Sequence, residues 1–276
     1  MASPLISAGE LRAVLGRVVV LDVRGEVVDG EPRYRAYPDR YAAGHIPGAL
    51  FVDWRHAFTD RDAEVPVTVA APAAVAAEAT ALGIGEGTPV VTYDDYRNAL
   101  AGRIAWVLRS HGGDARILDG GLAAWLAADG ELETGVVEPA PAVRPFPVHA
   151  RDRLIDLDAM RERLAVGVQV VDARSTAQYT GAETHSRRAG HIPGARSMPY
   201  TELLDATGHF LPPAELRHRL ELAGVNLAAP AVAYCNGGVS ATVVGNAIEL
   251  AGGRSAEVYD GSWNEWGSRD DLPLEG

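Results

Sequence analysis

Short, nearly continuous apolar runs alternate along the chain with longer stretches that have a helical pattern of apolar and polar residues. Continuous apolar runs are typical of strands buried on both faces of a parallel sheet. Two of the helical stretches begin at a proline and are followed by a glycine, as helix capping favours. The predicted strands are residues 17–23, 89–93, 116–118, 168–172, 230–234 and 256–259, and the predicted helices are residues 72–82, 99–110, 157–165, 213–223 and 240–251. This order of elements predicts an α/β fold.

Three motifs occur twice in the same order, at spacings of 150, 146 and 141 residues. The pairs are residues 18–24 with 168–174, 44–49 with 190–195, and 118–121 with 259–262. The second pair is identical, reading Gly-His-Ile-Pro-Gly-Ala in both places. Such spacings are far too long for a solenoid repeat, so each copy should have its own core. The sequence therefore predicts a duplicated domain.

The boundary between the copies is visible in the proline content. Four prolines fall within the ten residues 138–147, which favours an extended, semi-rigid connector. A chain of 276 residues is also long enough for about two domains. We predict a first domain at residues 1–137, a linker at 138–148 and a second domain at 149–276.

Charge and composition exclude several classes of function. The formal net charge is −12, so no basic stripe is expected for nucleic acid. All 25 basic residues are arginine, which excludes Schiff-base enzymes and the Walker P-loop because both need a lysine. We also expect no signal peptide, no membrane span, no cofactor and no metal site. The single cysteine, which is safest in a reducing compartment, favours a cytoplasmic protein.

That cysteine, Cys235, directly follows the predicted strand at 230–234 and precedes a helix. Ligands of open α/β sheets bind outside the carboxyl ends of strands. Glycines at 237 and 238 let the loop turn its N–H groups toward one point, where the next helix adds partial positive charge. Residues Asn236, Gly237, Gly238, Val239, Ser240 and Ala241 are therefore predicted to hold an anion next to a nucleophilic thiolate.

Cys235 has two other interpretations. A lone cysteine is often only a buried structural residue. A cysteine phosphatase uses a similar loop, but it needs an arginine six residues after the nucleophile to bind phosphate through two hydrogen bonds. Position 241 is alanine, which makes phosphate-ester hydrolysis a poor hypothesis.

The combined motifs resemble the tandem-domain rhodanese-type sulfurtransferases. That family has Gly-His-Ile-Pro-Gly-Ala and Asp-x-Arg in both halves, which are found here at 190–195 and 172–174 in the second half. The loop at 235–241 matches its Cys-x-x-Gly-Val-Thr/Ser-Ala motif, and Asp-Gly-Ser-Trp-Asn-Glu-Trp at 260–266 matches its closing motif. The resemblance implies two rhodanese-like α/β domains, each a mainly parallel sheet flanked by helices. Because Asp94 stands 141 residues before Cys235, it also implies a non-catalytic first domain and a catalytic second one.

The activity implied by the resemblance is a two-step sulfur transfer. The Cys235 thiolate takes the outer sulfur of a small donor, and the resulting persulfide passes it to cyanide or to a thiol, including that of a thioredoxin-like protein. Donors of the family are thiosulfate and 3-mercaptopyruvate. The neutral pair Asn236-Gly237 matches neither branch fully, and its lack of charge favours mercaptopyruvate. A non-enzymatic persulfide carrier or sensor for a protein partner is the alternative.

Arginines are the expected partners for the negative group of either donor. Arg174 is the first candidate, because it follows Asp172 at a strand end and matches a substrate-site arginine of the family. Arg187 and Arg188 are the next, although a solvated charge or a weak ion pair is the simpler interpretation of each. His45 and His191 occupy identical loops and are predicted to fix those loops, with a catalytic role for His45 as the alternative.

Overall fold

A computed structural model describes residues 3–150, 152–254 and 256–276, which divide into two compact units. The first unit takes in the described residues up to 61, together with 69–150 and 206–209, and the second unit takes in the remainder. In the described part of the chain, no helix is both long enough and apolar enough to cross a membrane.

The first unit is built on a five-stranded sheet in which all strands are parallel. Its elements are β1 Leu5–Ile6, α1 Ala8–Val14, β2 Val19–Asp22, β3 Gly25–Val27, β4 Tyr34–Ala36, α2 Pro38–Ala43, β5 Leu50–Phe51, α3 Pro72–Ala81, β6 Pro89–Tyr93, α4 Ala99–Ser110, β7 Asp114–Leu118 and α5 Gly121–Ala127. The strand order is β1-β7-β6-β2-β5, and β3 and β4 form a separate antiparallel pair.

The second unit repeats this plan. Its elements are β8 Leu154–Ile155, α6 Leu157–Ala165, β9 Gln169–Asp172, α7 Thr176–Tyr179, β10 Arg196–Ser197, a 3₁₀ turn at Tyr200–Leu203, α8 Pro213–Leu222, β11 Ala231–Tyr234, α9 Ala241–Leu250, β12 Ala256–Tyr259 and α10 Ser262–Trp266. The parallel order β10-β9-β11-β12-β8 corresponds strand for strand to that of the first unit. The prediction of two α/β domains with mainly parallel sheets is confirmed.

The long predicted elements agree closely with the observed ones. Strands 89–93 and 256–259 and helices 99–110 and 157–165 match from end to end, and the others differ by one or two residues at an end. Two-residue strands and one-turn helices were not predicted, because so short a segment shows no period. Helix α1 was also missed, although the capping box formed by Ser7 and Glu10 marks its start.

The proline-rich segment at 138–148 contains no helix or strand. It is nevertheless tied to the first unit, since the N–H groups of Ala142 and Phe146 donate to the main-chain carbonyl and the hydroxyl of Thr80. The Phe146 side chain is buried. These hydrogen bonds hold the segment against α3 of the first unit, and its role as a connector between two domains stays a prediction.

The sheet of the second unit brings its chemical residues to one edge. Strands β9 and β11 are in register with Asp172 opposite Tyr234, so Cys235 follows at the carboxyl edge. Tyr234 and Trp263 lie in the apolar core that supports this edge, and both are fully buried. The carboxyl ends of β9 and β11 and the buried rings of Tyr234 and Trp263 thus lie next to the loop that starts at Cys235.

Candidate active site

Cys235 lies directly after β11, with only 2% of its surface exposed. Its carbonyl accepts a hydrogen bond from the N–H of Trp263 at 3.0 Å, and its N–H donates to the hydroxyl of Ser262 at 3.2 Å. The thiol is therefore held at the end of a buried strand by the first turn of α10. A fixed sulfur at a strand end has the position expected of a nucleophile in an α/β site.

The loop after Cys235, for which the sequence predicts an anion site, contains several N–H groups without a partner in the described part of the chain. Gly238 adopts a φ of +68°, which turns the chain before α9 begins at Ala241. Among the described residues, the N–H groups at positions 236, 237, 239, 240 and 241 have no hydrogen-bond acceptor. Unpaired N–H groups are costly in a buried loop unless an anion or water meets them. The loop is thus suited to hold negative charge beside the sulfur.

The equivalent loop of the first unit encloses an anion that belongs to the chain. The Asp94 carboxylate is buried and accepts hydrogen bonds from the N–H groups of Tyr96, Asn98 and Ala101 at 2.9, 3.0 and 2.8 Å. Arg97 has a φ of +55°, at the position that corresponds to Gly238. The two loops share this turn, and in the first unit its N–H groups surround a negative charge.

Burial raises the pKa of Asp94 to about 6, although its three N–H donors oppose the shift. Between pH 3.8 and about 6, the folded state holds a proton that the unfolded state has lost, so the stability of the wild-type protein falls as the pH rises through this window. Asp94→Asn cannot ionise. We expect the free energy of unfolding of wild type, relative to this variant, to fall by about 2 kcal/mol between pH 4 and pH 6.5.

Urea unfolding at several pH values measures this difference. Asp114→Asn, at an exposed position on β7, is the matched control and should follow the wild-type curve. Parallel curves for wild type and Asp94→Asn would show that the carboxylate ionises as easily in the folded as in the unfolded chain.

Arg174 is buried and engaged in contacts within its own unit. Its guanidinium donates through Nε and Nη2 to the Asp172 carboxylate, at 2.6–3.1 Å, and through Nη2 to the carbonyl of Gly190 at 2.8 Å. It also lies over the Trp263 ring, 4.4 Å from the centroid. Hydrogen bonding to Asp172 raises the pKa of Arg174, although burial opposes the shift.

The first unit contains the same arrangement without a cysteine beside it. Arg24 pairs with Asp22 and donates to the carbonyl of Gly44 at 2.7 Å. Because the Arg24–Asp22 pair forms in a unit that has no cysteine, the matching contacts of Arg174 favour a structural role for this arginine. Contact between Arg174 and a donor stays a prediction.

The other two candidate arginines are directed toward the C-terminal segment. Arg187 is exposed and pairs with Asp270. Arg188 donates to the carbonyls of Leu272 and Trp266 at 2.8 and 2.9 Å. Among the described residues, no hydrogen bond or ion pair joins either side chain to the loop that starts at Cys235. Their predicted role in donor binding also stays a prediction.

The two histidines have the same surroundings in the two units. His191 Nδ1 is 2.9 Å from the carbonyl oxygen of Tyr179, its ring stacks on that tyrosine, and its main chain pairs with that of Glu275. His45 has the equivalent contacts with Tyr41 and Glu133. These contacts fix the Gly-His-Ile-Pro-Gly loops, as expected of residues that are present with and without a cysteine.

Two residues of the site were not singled out from the sequence. Ser262 accepts hydrogen bonds from the N–H groups of Cys235 and Gly238. Gln178, on α7, accepts one from the Asn236 amide at 3.2 Å. Ser262 belongs to the closing motif at 260–266, and its counterpart in the first copy is glycine, so the repeat itself contains a signal for it.

Comparison with known proteins identifies the family of the chain. The sequence profile of the Rhodanese-like domain matches residues 7–128 and again residues 156–269. The chain belongs to the rhodanese-like family.

Relatives of this rhodanese-like protein are sulfurtransferases. The human 3-mercaptopyruvate sulfurtransferase is 36% identical over 243 residues, which cover 84% of this chain and 81% of the relative. Thiosulfate/3-mercaptopyruvate sulfurtransferase 1, mitochondrial, of Arabidopsis thaliana is 30% identical over 301 residues, which cover 99% of this chain and 78% of the relative. The rhodanese-like protein described here is accordingly a sulfurtransferase.

A solved structure agrees in fold and class. The crystal structure of SseA from Escherichia coli, described as a 3-mercaptopyruvate sulfotransferase, is 29% identical to this chain. The match has a TM-score of 0.83 and covers 95% of this chain and 99% of SseA. The resemblance found in the sequence motifs is thereby confirmed.

Proposed function

We propose that this protein transfers sulfur through a persulfide on Cys235, with the N–H groups of residues 236, 237 and 239–241 holding the negative charge. One observation carries the proposal. The loop after Cys235 has N–H groups without an acceptor among the described residues, and the equivalent loop of the first unit closes around the Asp94 carboxylate. Preorganised N–H donors stabilise a buried anion without reorganisation during the reaction. On this proposal residues 149–276 form the catalytic domain and residues 1–137 the non-catalytic one.

In the loading step with 3-mercaptopyruvate, the Cys235 thiolate attacks the donor's thiol sulfur. A sulfur–sulfur bond forms and the donor's carbon–sulfur bond breaks, with its electron pair going to the enolate of pyruvate. The enolate takes a proton from water, and the protein keeps a persulfide. With thiosulfate the same attack breaks the sulfur–sulfur bond of the donor, and sulfite leaves with the electron pair. Both are covalent catalysis by an activated thiolate.

In the unloading step an acceptor takes the outer sulfur. Cyanide attacks it through carbon, the sulfur–sulfur bond breaks, and thiocyanate leaves while the Cys235 thiolate is restored. A thiol acceptor gives a new persulfide in the same way. Because Cys235 is deeply buried, we propose that its protein acceptors are thioredoxin-like and present a thiol on a projecting loop. A reducing compartment such as the cytoplasm suits a protein that depends on one free thiol.

The charges in the catalytic domain favour 3-mercaptopyruvate over thiosulfate. The two residues after Cys235 are neutral, and the guanidinium groups of Arg174, Arg187 and Arg188 are bonded to acidic or carbonyl groups. A monoanionic donor requires less compensating charge than the thiosulfate dianion. We propose 3-mercaptopyruvate as the preferred donor and thiosulfate as the slower one.

Whole-chain mass spectrometry tests the mechanism. Donor without acceptor should add the mass of one sulfur atom to the chain, and later addition of cyanide should remove it and release one equivalent of thiocyanate. With donor and cyanide in excess, many equivalents should form. Release of one equivalent and no more would instead describe a persulfide carrier, and an unchanged mass would contradict the persulfide.

The donor preference makes a separate prediction. Asn236→Arg places a positive charge next to Cys235, so we expect kcat/KM for thiosulfate to rise about 5- to 10-fold and to fall again as salt is added. Steady-state kinetics with both donors at two ionic strengths measure this change. Asn236→Gln, which is longer but neutral, is the matched control and should not favour thiosulfate. An equal response of the two variants would show that charge does not select the donor.

A further inference from the structure

Ser262 is one of the few non-glycine residues with a left-handed backbone. Its φ is +49°, and its counterpart in the first unit is Gly121, with a φ of +57°. Left-handed φ values are unfavourable for residues that have a Cβ, and they persist where the surroundings hold them. The second unit therefore keeps a side chain at a position where glycine would fit more easily.

The hydroxyl of Ser262 is saturated with hydrogen bonds. It accepts from the N–H groups of Cys235 and Gly238 at 3.2 and 3.0 Å, and it donates to the carbonyl of Tyr259 at 2.7 Å. A hydroxyl has one donor and two acceptor sites, so these contacts fix its orientation. The residue is completely buried, which excludes water as a substitute partner in the folded state. One side chain thus ties β12 to both ends of the turn that follows β11.

The first unit shows which N–H groups of this turn face an anion. The Asp94 carboxylate takes those of Tyr96, Asn98 and Ala101, and it does not take those of residues 94 and 97. Residues 94 and 97 correspond to Cys235 and Gly238, whose N–H groups bond to the serine. The hydroxyl therefore binds two N–H groups whose counterparts in the first unit do not donate to the Asp94 carboxylate.

We propose that Ser262 is a positioning residue for Cys235, which it serves by holding the loop in its anion-binding conformation when no anion is present. In the first unit the carboxylate is permanently attached and holds its own loop. In the second unit, by the mechanism proposed above, negative charge arrives and leaves with each sulfur atom. A permanent internal tie is needed there, and the Ser262 hydroxyl supplies it. The inference rests on the proposed function for its role in turnover.

The position of the loop relative to α10 agrees with this role. A Cβ built on Gly121 would overlap the carbonyl oxygen of Asp94, so the first unit has no room for a serine. In the second unit the corresponding carbonyl, that of Cys235, still accepts the N–H of Trp263, with the serine side chain in place. The second unit therefore accommodates the serine side chain and keeps the main-chain hydrogen bond that the first unit makes between Leu122 and Asp94.

Two substitutions separate the hydroxyl from the backbone strain. Ser262→Ala removes the hydroxyl and keeps a Cβ at the unfavourable φ, whereas Ser262→Gly removes the hydroxyl and relieves the strain, as in the first unit. We expect kcat for thiocyanate formation to fall about 10- to 100-fold in both, with KM for the donor changed less than about 3-fold, because the nucleophile is misplaced while donor contacts remain. Ser268→Ala is the matched control, since this exposed hydroxyl just after α10 bonds, within the described part of the chain, only to the carbonyl of Glu265.

A second readout works without any donor. Cys235 is the single cysteine of the chain, so the rate of alkylation by iodoacetamide between pH 6 and 9 reports on its thiolate alone. We expect this rate to fall in both Ser262 variants, because the loop no longer holds its N–H groups beside the sulfur, and to stay at the wild-type value in Ser268→Ala. A merely structural role would lower the unfolding midpoint and leave the kinetic split and the alkylation profile unchanged.

The outcomes are distinct. If Ser262→Gly folds and keeps the wild-type kcat and alkylation profile, the positioning role is wrong. If only Ser262→Ala is impaired, the backbone strain and not the hydroxyl explains the effect, which also overturns the proposal. If the wild-type protein forms no thiocyanate from either donor, the proposed function fails, and the alkylation profiles still decide the role of Ser262.

Discussion

Cys235→Ser should lower kcat/KM for thiocyanate formation by at least about 1,000-fold with either donor. A serine hydroxyl is a far weaker nucleophile than a thiolate at neutral pH, and it cannot carry a sulfur atom as a persulfide. The substitution changes one buried atom at the end of β11, so the main-chain bonds of the loop to Ser262 and Trp263 are retained. The loss should therefore occur in a folded protein.

Steady-state kinetics and unfolding curves of the same preparation measure both effects. Asp94→Asn changes the equivalent residue of the other copy and is the matched control, for which we expect unchanged turnover. Retention of more than a tenth of the activity by Cys235→Ser would contradict the persulfide mechanism altogether, because no other cysteine exists in the chain to replace it.

Asp172→Ala should destabilise the second unit by about 3–5 kcal/mol. The Asp172 carboxylate is completely buried, pairs with the Arg174 guanidinium and accepts the hydroxyl of Tyr234 at 2.5 Å. Its removal leaves an arginine charge buried among aromatic rings and carbonyl groups. Breaking one side of a buried ion pair costs more than the pair itself contributes, because the remaining charge has lost its solvation and its partner.

Denaturant unfolding followed by fluorescence measures this loss. Asp271→Ala removes an exposed partner of Arg161 and Arg269 and should cost less than about 1 kcal/mol. Asp22→Ala removes the equivalent carboxylate of the first unit and should destabilise that unit by a similar amount to Asp172→Ala. Equal, small losses for Asp172→Ala and Asp271→Ala would show that the Arg174 charge finds other compensation.

The fold was predictable because its long elements have clear patterns and because the chain repeats itself. Strands such as Pro89–Tyr93 are apolar throughout, as expected where both faces of a sheet are covered. The outer strands β5 and β10 have only two residues each, which is too short for any period. Their positions are set by pairing with β2 and β9, and that pairing is a tertiary contact that no local pattern shows.

The candidate site was predictable as far as local sequence determines it. A strand, a cysteine, two glycines and a helix start are neighbours in the chain, so their geometry follows from backbone chemistry. The tie from Ser262 joins residues 27 positions apart, and a distance of that kind is set by the order of strands β11 and β12. The hydrogen bonds of Arg174 to Asp172 and Gly190 could not be predicted, because a sequence identifies a charged residue but not its partners in the fold.

The Asp–Arg–Tyr network and the histidine loop are built in both units, with the same partners and nearly the same distances. The first copy keeps them although it has no cysteine, so selection for folding is sufficient to retain them. When genomes are searched for members of this family, motifs that report these networks will therefore score copies without the cysteine as highly as copies with it. On the function proposed above, residues at the positions of Cys235 and Ser262, which differ between the two copies of this one chain, are better markers of activity.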